Sequence, residues 1–317
     1  MSDEHYTVGS LYAGVEGVGL GFEQAGFTVS WANEMDKHAV ETIKANFSHR
    51  VYDAKIEELE PSLLSPVDVI TAGFPCQPFS LAGYQKGFED NRGNHFFEVI
   101  KVVKHLRPKV VFLENVKNLV SHDKGKTFKI ITDTLKSIGY DYYYSVLNSC
   151  EYGNVPQNRE RIYIVCFRND LNITSFKFPK PVPLTKKVVD ILETNVDKKF
   201  FYGEHSYNWD KLVSAMTKKD TVYQWRRVYV RENKSNMCPT LTANMGSGGH
   251  NVPLILTDEG IRKLTPRKCF RLQGFPNSFV LPKTGQSHLY KQAGNSVTVP
   301  VIKKIANNIL KKLEQNG

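Results

Sequence analysis

Between residues 6 and 168, apolar runs of strand length alternate with segments in which apolar residues recur at helical spacing. That alternation is the pattern of a parallel sheet whose strands are joined by helices. It predicts strands over 7–11, 28–33, 67–72, 109–113 and 162–167, and helices over 36–46, 96–106 and 126–137. The expected architecture is a doubly wound α/β domain, and in such sheets ligands bind beyond the carboxyl ends of the strands. The alternation breaks where Pro179, Pro181 and Pro183 fall within five residues, which neither a helix nor a central strand accommodates. A linker is expected there, followed by irregular, polar, Gly-rich chain to about Thr265 and a last amphipathic helix from about Pro300 to Leu313.

At 317 residues the chain has room for one large or two modest domains. A hydrophobic content of 41% argues against disordered or fibrous classes. Lys and Arg number 42 against 32 Asp and Glu, a net charge of +10 that favours a polyanionic partner, either nucleic acid or an anionic membrane surface. No stretch approaches the ~18 apolar residues of a membrane span, and the acids Asp3 and Glu4 stand where a signal peptide needs basic residues. A cytoplasmic protein is expected. Five widely spaced cysteines, Cys76, Cys150, Cys166, Cys238 and Cys269, form neither a C-x-x-C zinc pair nor a disulfide framework, which leaves room for a nucleophile and no metal site.

The first strand runs into Tyr12-Ala13-Gly14-Val15-Glu16-Gly17, and Glu34 ends the second strand twenty residues beyond Gly14. Glycines let backbone pass close to a ligand, and an acid at that distance can accept from ribose hydroxyls. Without the full G-x-G-x-x-G spacing, an adenosine ligand lacking phosphates fits better than NAD. Asp53, at the end of the third unit, is placed to accept from an adenine amino group. Gly73-Phe74-Pro75-Cys76-Gln77-Pro78 follows the next strand, with prolines on both sides of Cys76. The strand after it ends in Glu114-Asn115-Val116, and Gln157, Arg159 and Arg161 alternate ahead of the strand at 162–167, so that their side chains are expected on one face. A thiol, an acid and two guanidinium groups thus converge on one sheet edge.

These segments resemble the DNA (cytosine-5)-methyltransferases of bacterial restriction-modification systems. The Pro-Cys loop, Glu114-Asn115-Val116, Gln157-x-Arg159-x-Arg161, Arg267 to Pro276 and Gly294-Asn295-Ser296-Val297 occur in the family's order. The resemblance implies a Rossmann-like methyltransferase domain with a smaller, mostly β target-recognition domain, divided as 1–178, 179–265 and 266–317, the last returning to the catalytic part. It implies S-adenosylmethionine as methyl donor, with Cys76 as nucleophile and Glu114, Arg159 and Arg161 as its catalytic partners. Tyr12, Gly14, Gly17, Glu34, Met35, Asp53, Pro75, Asn295, Ser296 and Val297 become cofactor residues. Three departures accompany it: Glu16 replaces a usual glycine and puts close backbone approach in doubt, Met35 replaces a usual aromatic, and His95 a usual aliphatic.

Duplex DNA is the implied partner. A loop from Ser80 to Gly93 would close over a flipped-out cytosine. Between the linker and about residue 260, Gln224, Arg226, Arg227 and Arg231 stand among aromatics, Thr240-Leu241 matches the family's signature, and Gly248 and Gly249 allow close approach to DNA. Gln224 is the candidate for filling the vacated space. A monomer in the bacterial cytoplasm, associated with the nucleoid through DNA and paired genetically with a restriction endonuclease, completes the expectation. The rivals are a tRNA cytosine-5 methyltransferase, a catalytically inactive DNA-binding relative and, last, a NAD-dependent dehydrogenase. From Lys177 to Thr265 there are 15 Lys and Arg against 9 Asp and Glu, so most of the excess charge lies in the recognition segment. Binding to duplex DNA is therefore expected to weaken steeply as salt rises, and an affinity indifferent to salt in a titration would contradict the assignment.

Overall fold

The computed structural model describes residues 5–75, 95–226, 228–247 and 251–316. The chain divides into two compact units, one of Met1–Leu147, Glu160–Lys180 and Val301–Gly317, the other of Asn148–Arg159 and Pro181–Pro300.

The first unit is built on a seven-stranded sheet. Its strands are β1 Thr7–Leu11, β2 Thr28–Asn33, β3 Arg50–Tyr52, β4 Val69–Ala72, β5 Val110–Val116, β6 Tyr140–Asn148 and β7 Glu160–Arg168. They lie in the order β3-β2-β1-β4-β5-β7-β6. The first five pair in parallel, whereas β7 runs antiparallel to β5, with Val110 opposite Phe167 and Val116 opposite Arg161. Helices α1 Gly17–Glu23, α2 Lys37–Asn46, α3 His95–Leu106 and α4 Lys126–Ser137 accompany them. Each buries an apolar stripe, as Phe96, Val99, Ile100 and Val103 do in α3 and Ile131 and Leu135 in α4. Asp36 caps α2 by accepting from the His38 N–H at 3.0 Å.

The second unit holds a four-stranded antiparallel sheet, β8 Val222–Arg226, β9 Tyr229–Asn233, β10 Leu254–Thr257 and β11 Gly260–Lys263, ordered β11-β10-β8-β9. Tyr223, Leu254 and Ile261 pack with Leu212 and Met216 in a small core. Its helices are α5 Ser149–Tyr152, α6 Trp209–Ala215, α7 Pro266–Arg271 and α8 Gln286–Asn295, and the final helix, α9 Val299–Asn316, passes into the first unit.

The α/β expectation holds, with β1, β2 and α4 at the predicted residues. The chain leaves the first unit at Lys180/Pro181, and residues 148–159 and 266–300 also belong to the second unit. The cause is polar: the Gln157 amide donates to Leu272 O at 2.6 Å, and the Leu241 N–H donates to Gln157 Oε1 at 3.0 Å.

At the centre of the first unit, Phe112 of β5 is fully buried, its ring 5.4 Å from Phe22 and 6.0 Å from Tyr163. Phe112→Ala is expected to cost about 3–5 kcal/mol, read as a lower denaturant midpoint.

Candidate active site

The carboxyl ends of β1 to β5 reach one edge of the parallel sheet. After β1 the backbone is left-handed at Tyr12 (φ 53), Gly14 (φ 58) and Glu16 (φ 63). Only Gly14 adopts this freely; the other two store about 1–3 kcal/mol of strain each. The loop is tied down by Ala13 N–H donating to Asn33 O at 3.0 Å and Gly14 N–H donating to Glu34 Oε2 at 2.7 Å. The other oxygen of Glu34 accepts from the Met35 and Asp36 N–H groups at 2.9 and 2.8 Å. Burial raises the Glu34 pKa and these N–H bonds oppose the rise. Each carboxylate oxygen has about two acceptor positions, so capacity remains for ribose hydroxyls.

Gly17 opens α1 and is buried, while Met35, 64% exposed, and Asp53 are open to solvent. The Tyr12 hydroxyl meets His95 Nδ1 at 2.9 Å, and Glu57 Oε1 lies 3.8 Å from that nitrogen. Burial first, then Glu57 and Glu98, drives the Tyr12 phenol far up, so it remains a neutral hydroxyl. Glu57 is absent from the sequence-based set, because a lone acid in a polar stretch carries no spacing signal. The obstruction expected from Glu16 does not arise as a side-chain projection: its carboxyl is turned into the interior, against Ser10.

After β4, Gly73, buried Phe74 and exposed Pro75 lead toward Cys76. The Asn115 side chain donates to Phe74 O at 2.8 Å and fastens that segment to the end of β5. A Cβ added at Gly73 would stand 3.5 Å from Glu114 Oε2. Glu114 Oε1 lies 3.2 Å from Arg161 Nε, both side chains largely buried at 11% and 15% exposure. Arg161 arrives there because antiparallel β7 begins where β5 ends, setting it opposite Val116. A shielded acid held in one orientation by a guanidinium can grip a ring nitrogen and an adjacent amine. Cys76, Ser80 and the rest of the expected closing loop lie outside the described residues.

Arg159 does not join Arg161. It stands in the second unit, 2% exposed, donating to Leu241 O at 2.7 Å, Gly294 O at 3.1 Å and Ser296 O at 2.5 Å. Gln157 and Arg159 both reach Leu241, and the chain passes into the other unit at Glu160. Ser296 and Val297 are buried and Asn295 is exposed. In the same unit, a polar cavity of about 380 Å³ is lined by Gln224, Arg226, Arg231 and Thr240, joined by Asn158 and Asn233. Gln224 and Arg231 are cross-strand partners in the β8–β9 hairpin. Thr240 donates its hydroxyl to Asn158 O at 2.7 Å. Arg227, Gly248 and Gly249 lie outside the described residues. Asn158 and Asn233 escape sequence reading because isolated asparagines are common in turns. Among the described residues no group of three or more His, Cys, Asp or Glu is placed to hold a metal.

The sequence profile of C-5 cytosine-specific DNA methylases matches residues 6–311. The chain is 54% identical over 311 residues to the type II methyltransferase M.Bsp6I of Bacillus sp. (strain RFL6), covering 96% of this chain and 99% of that protein. It is 39% identical over 309 residues to the type II methyltransferase M.HhaI of Haemophilus parahaemolyticus, covering 94% and 92% respectively. Among solved structures, the Dnmt2 methyltransferase of S. pombe shares the fold with a TM-score of 0.74 at 20% identity, over 98% of this chain and 99% of that one.

Arg159→Lys is expected to destabilise the second unit by about 2–4 kcal/mol, because a single ammonium nitrogen cannot reach carbonyls that the guanidinium serves from two separate nitrogens. Urea unfolding followed through Trp209 and Trp225 measures this, and an unchanged midpoint would contradict the tethering role.

Proposed function

Because the chain belongs to the C-5 cytosine-specific DNA methylase family, and is therefore a DNA (cytosine-5)-methyltransferase, we propose that it uses S-adenosylmethionine, flips its target cytosine out of the duplex and attacks that base through Cys76. One observation carries the reading: Glu114, paired with Arg161 at 3.2 Å, stands beside the segment that Asn115 fastens just ahead of Cys76.

Carbon 5 of cytosine is a poor nucleophile. Addition of the Cys76 thiolate to carbon 6 makes carbon 5 enamine-like, and loss of the carbon-5 proton with expulsion of the thiol later restores the ring. Thiolate suits such reversible addition better than an alkoxide. Glu114 holds ring nitrogen 3 and the exocyclic amine, keeping negative charge from accumulating on the base. Arg161 fixes the Glu114 carboxyl and adds positive charge near the thiolate. Arg159 tethers the Leu241 and 294–296 segments within the second unit.

The residues of the first unit fit S-adenosylmethionine: Glu34 is fixed by three N–H groups yet retains acceptor capacity, and the Tyr12–Gly14 turn offers a tied backbone with no phosphate cradle. When bound, the cofactor supplies an electrophilic methyl on its sulfonium. Glu34 would hold the ribose, Met35 and Asp53 the adenine, Tyr12, Gly14 and Gly17 the methionine part and Pro75 the methyl end.

Inside a duplex both faces of the target base are covered by the neighbouring base pairs, so chemistry on carbons 5 and 6 requires rotating it out. The second unit reads the flanking sequence, with Arg226, Arg227 and Arg231 toward guanine edges and phosphates, Gln224 and Thr240 beside them, and Gly248 and Gly249 permitting close approach. Ser80 belongs to the loop that closes on the flipped base. The type II naming of both relatives supports a cognate restriction endonuclease as genetic partner.

Cys76→Ser is expected to abolish methyl transfer to duplex DNA while duplex binding persists, and methylation at the unmodified rate would overturn the mechanism. Glu114→Gln is expected to lower kcat by about 100-fold or more. Transfer of label to tRNA and not to duplex DNA would decide for the rival substrate.

A further inference from the structure

Glu16 has no part in the proposed chemistry, yet its side chain is wholly buried. Its backbone closes the cofactor turn: the Glu16 N–H donates to Ala13 O at 2.8 Å, and Leu20 N–H donates to Glu16 O at 2.9 Å. One carboxyl oxygen accepts from Ser10 Oγ at 2.5 Å, and Thr71 Oγ1 donates to that same hydroxyl at 3.2 Å. The other oxygen faces His49 Nε2 at 3.7 Å, and neither of these two atoms has a hydrogen-bond partner among the described residues. The imidazole is nearly as dry, with 4% of its side chain exposed. Room for the carboxyl exists because position 19 is glycine: a Cβ there would stand 2.0 Å from Glu16 Oε1. Side chains from β1 and from the segment ahead of β3, with the bare backbone of α1 at Gly19, thus enclose one acid.

We infer that Glu16 is a positioning residue, seated in a socket of Ser10, Gly19 and His49, which fixes the turn at residues 12–16 and thereby the affinity for the methyl donor. The inference rests on assigning that turn to S-adenosylmethionine.

The socket suits a neutral acid. Burial pushes the Glu16 carboxyl up to about 8; the Ser10 hydroxyl and the Gly19 N–H oppose the rise, while Glu23 at the end of α1 and Glu34 after β2 add to it. Burial holds His49 down to about 4. Around neutral pH the acid is therefore protonated and the imidazole uncharged. As pH passes about 8 a carboxylate forms facing the Ser10 hydroxyl, the Gly19 N–H, neutral His49 and the acids Glu23 and Glu34, none of which carries positive charge. Its route to water is rotation of residue 16, which carries Ala13 and Gly14 with it through the bonds just described. The sign for stability agrees: an acid protonated in the fold but ionised when unfolded makes stability fall as pH rises from about 4.5 to about 8.

The test is the dissociation constant of S-adenosylmethionine, measured calorimetrically on the full chain from about pH 6.5 to 9.5, a window that brackets the ionisation. The unmodified protein is expected to lose affinity about 10-fold across it, while Glu16→Gln, which keeps the shape and cannot ionise, stays flat. Gly19→Ala is expected to weaken binding about 10-fold alone but less than about 2-fold when combined with Glu16→Gly, because the clash partner is gone. Superimposable pH profiles for the unmodified and Glu16→Gln proteins, or equal Gly19→Ala effects in both backgrounds, would overturn the inference. Glu34→Ala separates the two levels: if it leaves cofactor affinity unchanged, the site assignment fails and takes the inference with it. If Glu34→Ala weakens binding while the profiles superimpose, only the inference fails.

Discussion

The antiparallel pairing of β7 with β5 is the constraint from which the reactive edge of the first unit follows. Parallel strands deliver their carboxyl ends to that edge, so Glu114 and the segment leading to Cys76 arrive there from β5 and β4. A further parallel strand would have brought its own carboxyl end, and the Arg161 end of β7 would have lain at the far side of the sheet. Reversing β7 sets Arg161 opposite Val116 and puts its guanidinium 3.2 Å from the Glu114 carboxyl. An ion pair this shielded contributes little net stability, because removing both charges from water costs about as much as their attraction returns. Its value is directional: the carboxyl has one orientation before any base enters. Adjacent residues on β5 project to opposite faces, and Asn115 uses the other face to secure Phe74 O.

How much of this is legible in the sequence depends on what each signal measures. Strands buried on both faces announce themselves as apolar runs, which is why β1 and β2 are found at their predicted residues. The three-residue β3 is too short for any period, and β6, Tyr140–Asn148, is a polar, tyrosine-rich strand at the sheet margin with little apolar run. The helix Gln286–Asn295 was hidden by its mixed polar composition. Alternation at Gln157, Arg159 and Arg161 was real as a local pattern, but period says nothing about which unit a side chain serves. The chain crosses from one unit to the other between Arg159 and Glu160, so neighbouring arginines two residues apart hold three backbone carbonyls in one case and a carboxylate in the other.

The turn after β1 sets a related limit on what glycine patterns reveal. Gly14 takes the conformation that its residue type permits, but Tyr12 and Glu16 take it too, against their own preference. Strain of that kind persists only where surroundings over-determine it. For Tyr12 those surroundings are the His95 imidazole and Glu57, and for Glu16 they are Ser10 and the space left at Gly19. Replacing a glycine with a charged residue looks like an obstruction when only the turn is considered. It becomes a second anchor once the side chain is seen to enter the interior.

The charge excess acquires a comparable structural meaning. Along β8 and β9 the two faces divide the work: Tyr223 is in the small core with Trp225 and Val230 packed against it, while Gln224, Arg226 and Arg231 line the polar cavity. A solvated strand of packing aromatics would leave its cations dispersed on the outer surface. Here strand register sets Gln224 opposite Arg231, and the turn carrying Thr240 lies on the same cavity wall. Convergent donors and acceptors in a concavity discriminate by leaving buried polar groups unpaired against the wrong partner, a penalty that scattered surface lysines cannot impose. The lysines of this segment carry charge without fixed geometry, whereas the proposed reading of sequence falls to the guanidinium and amide groups that the hairpin register sets side by side.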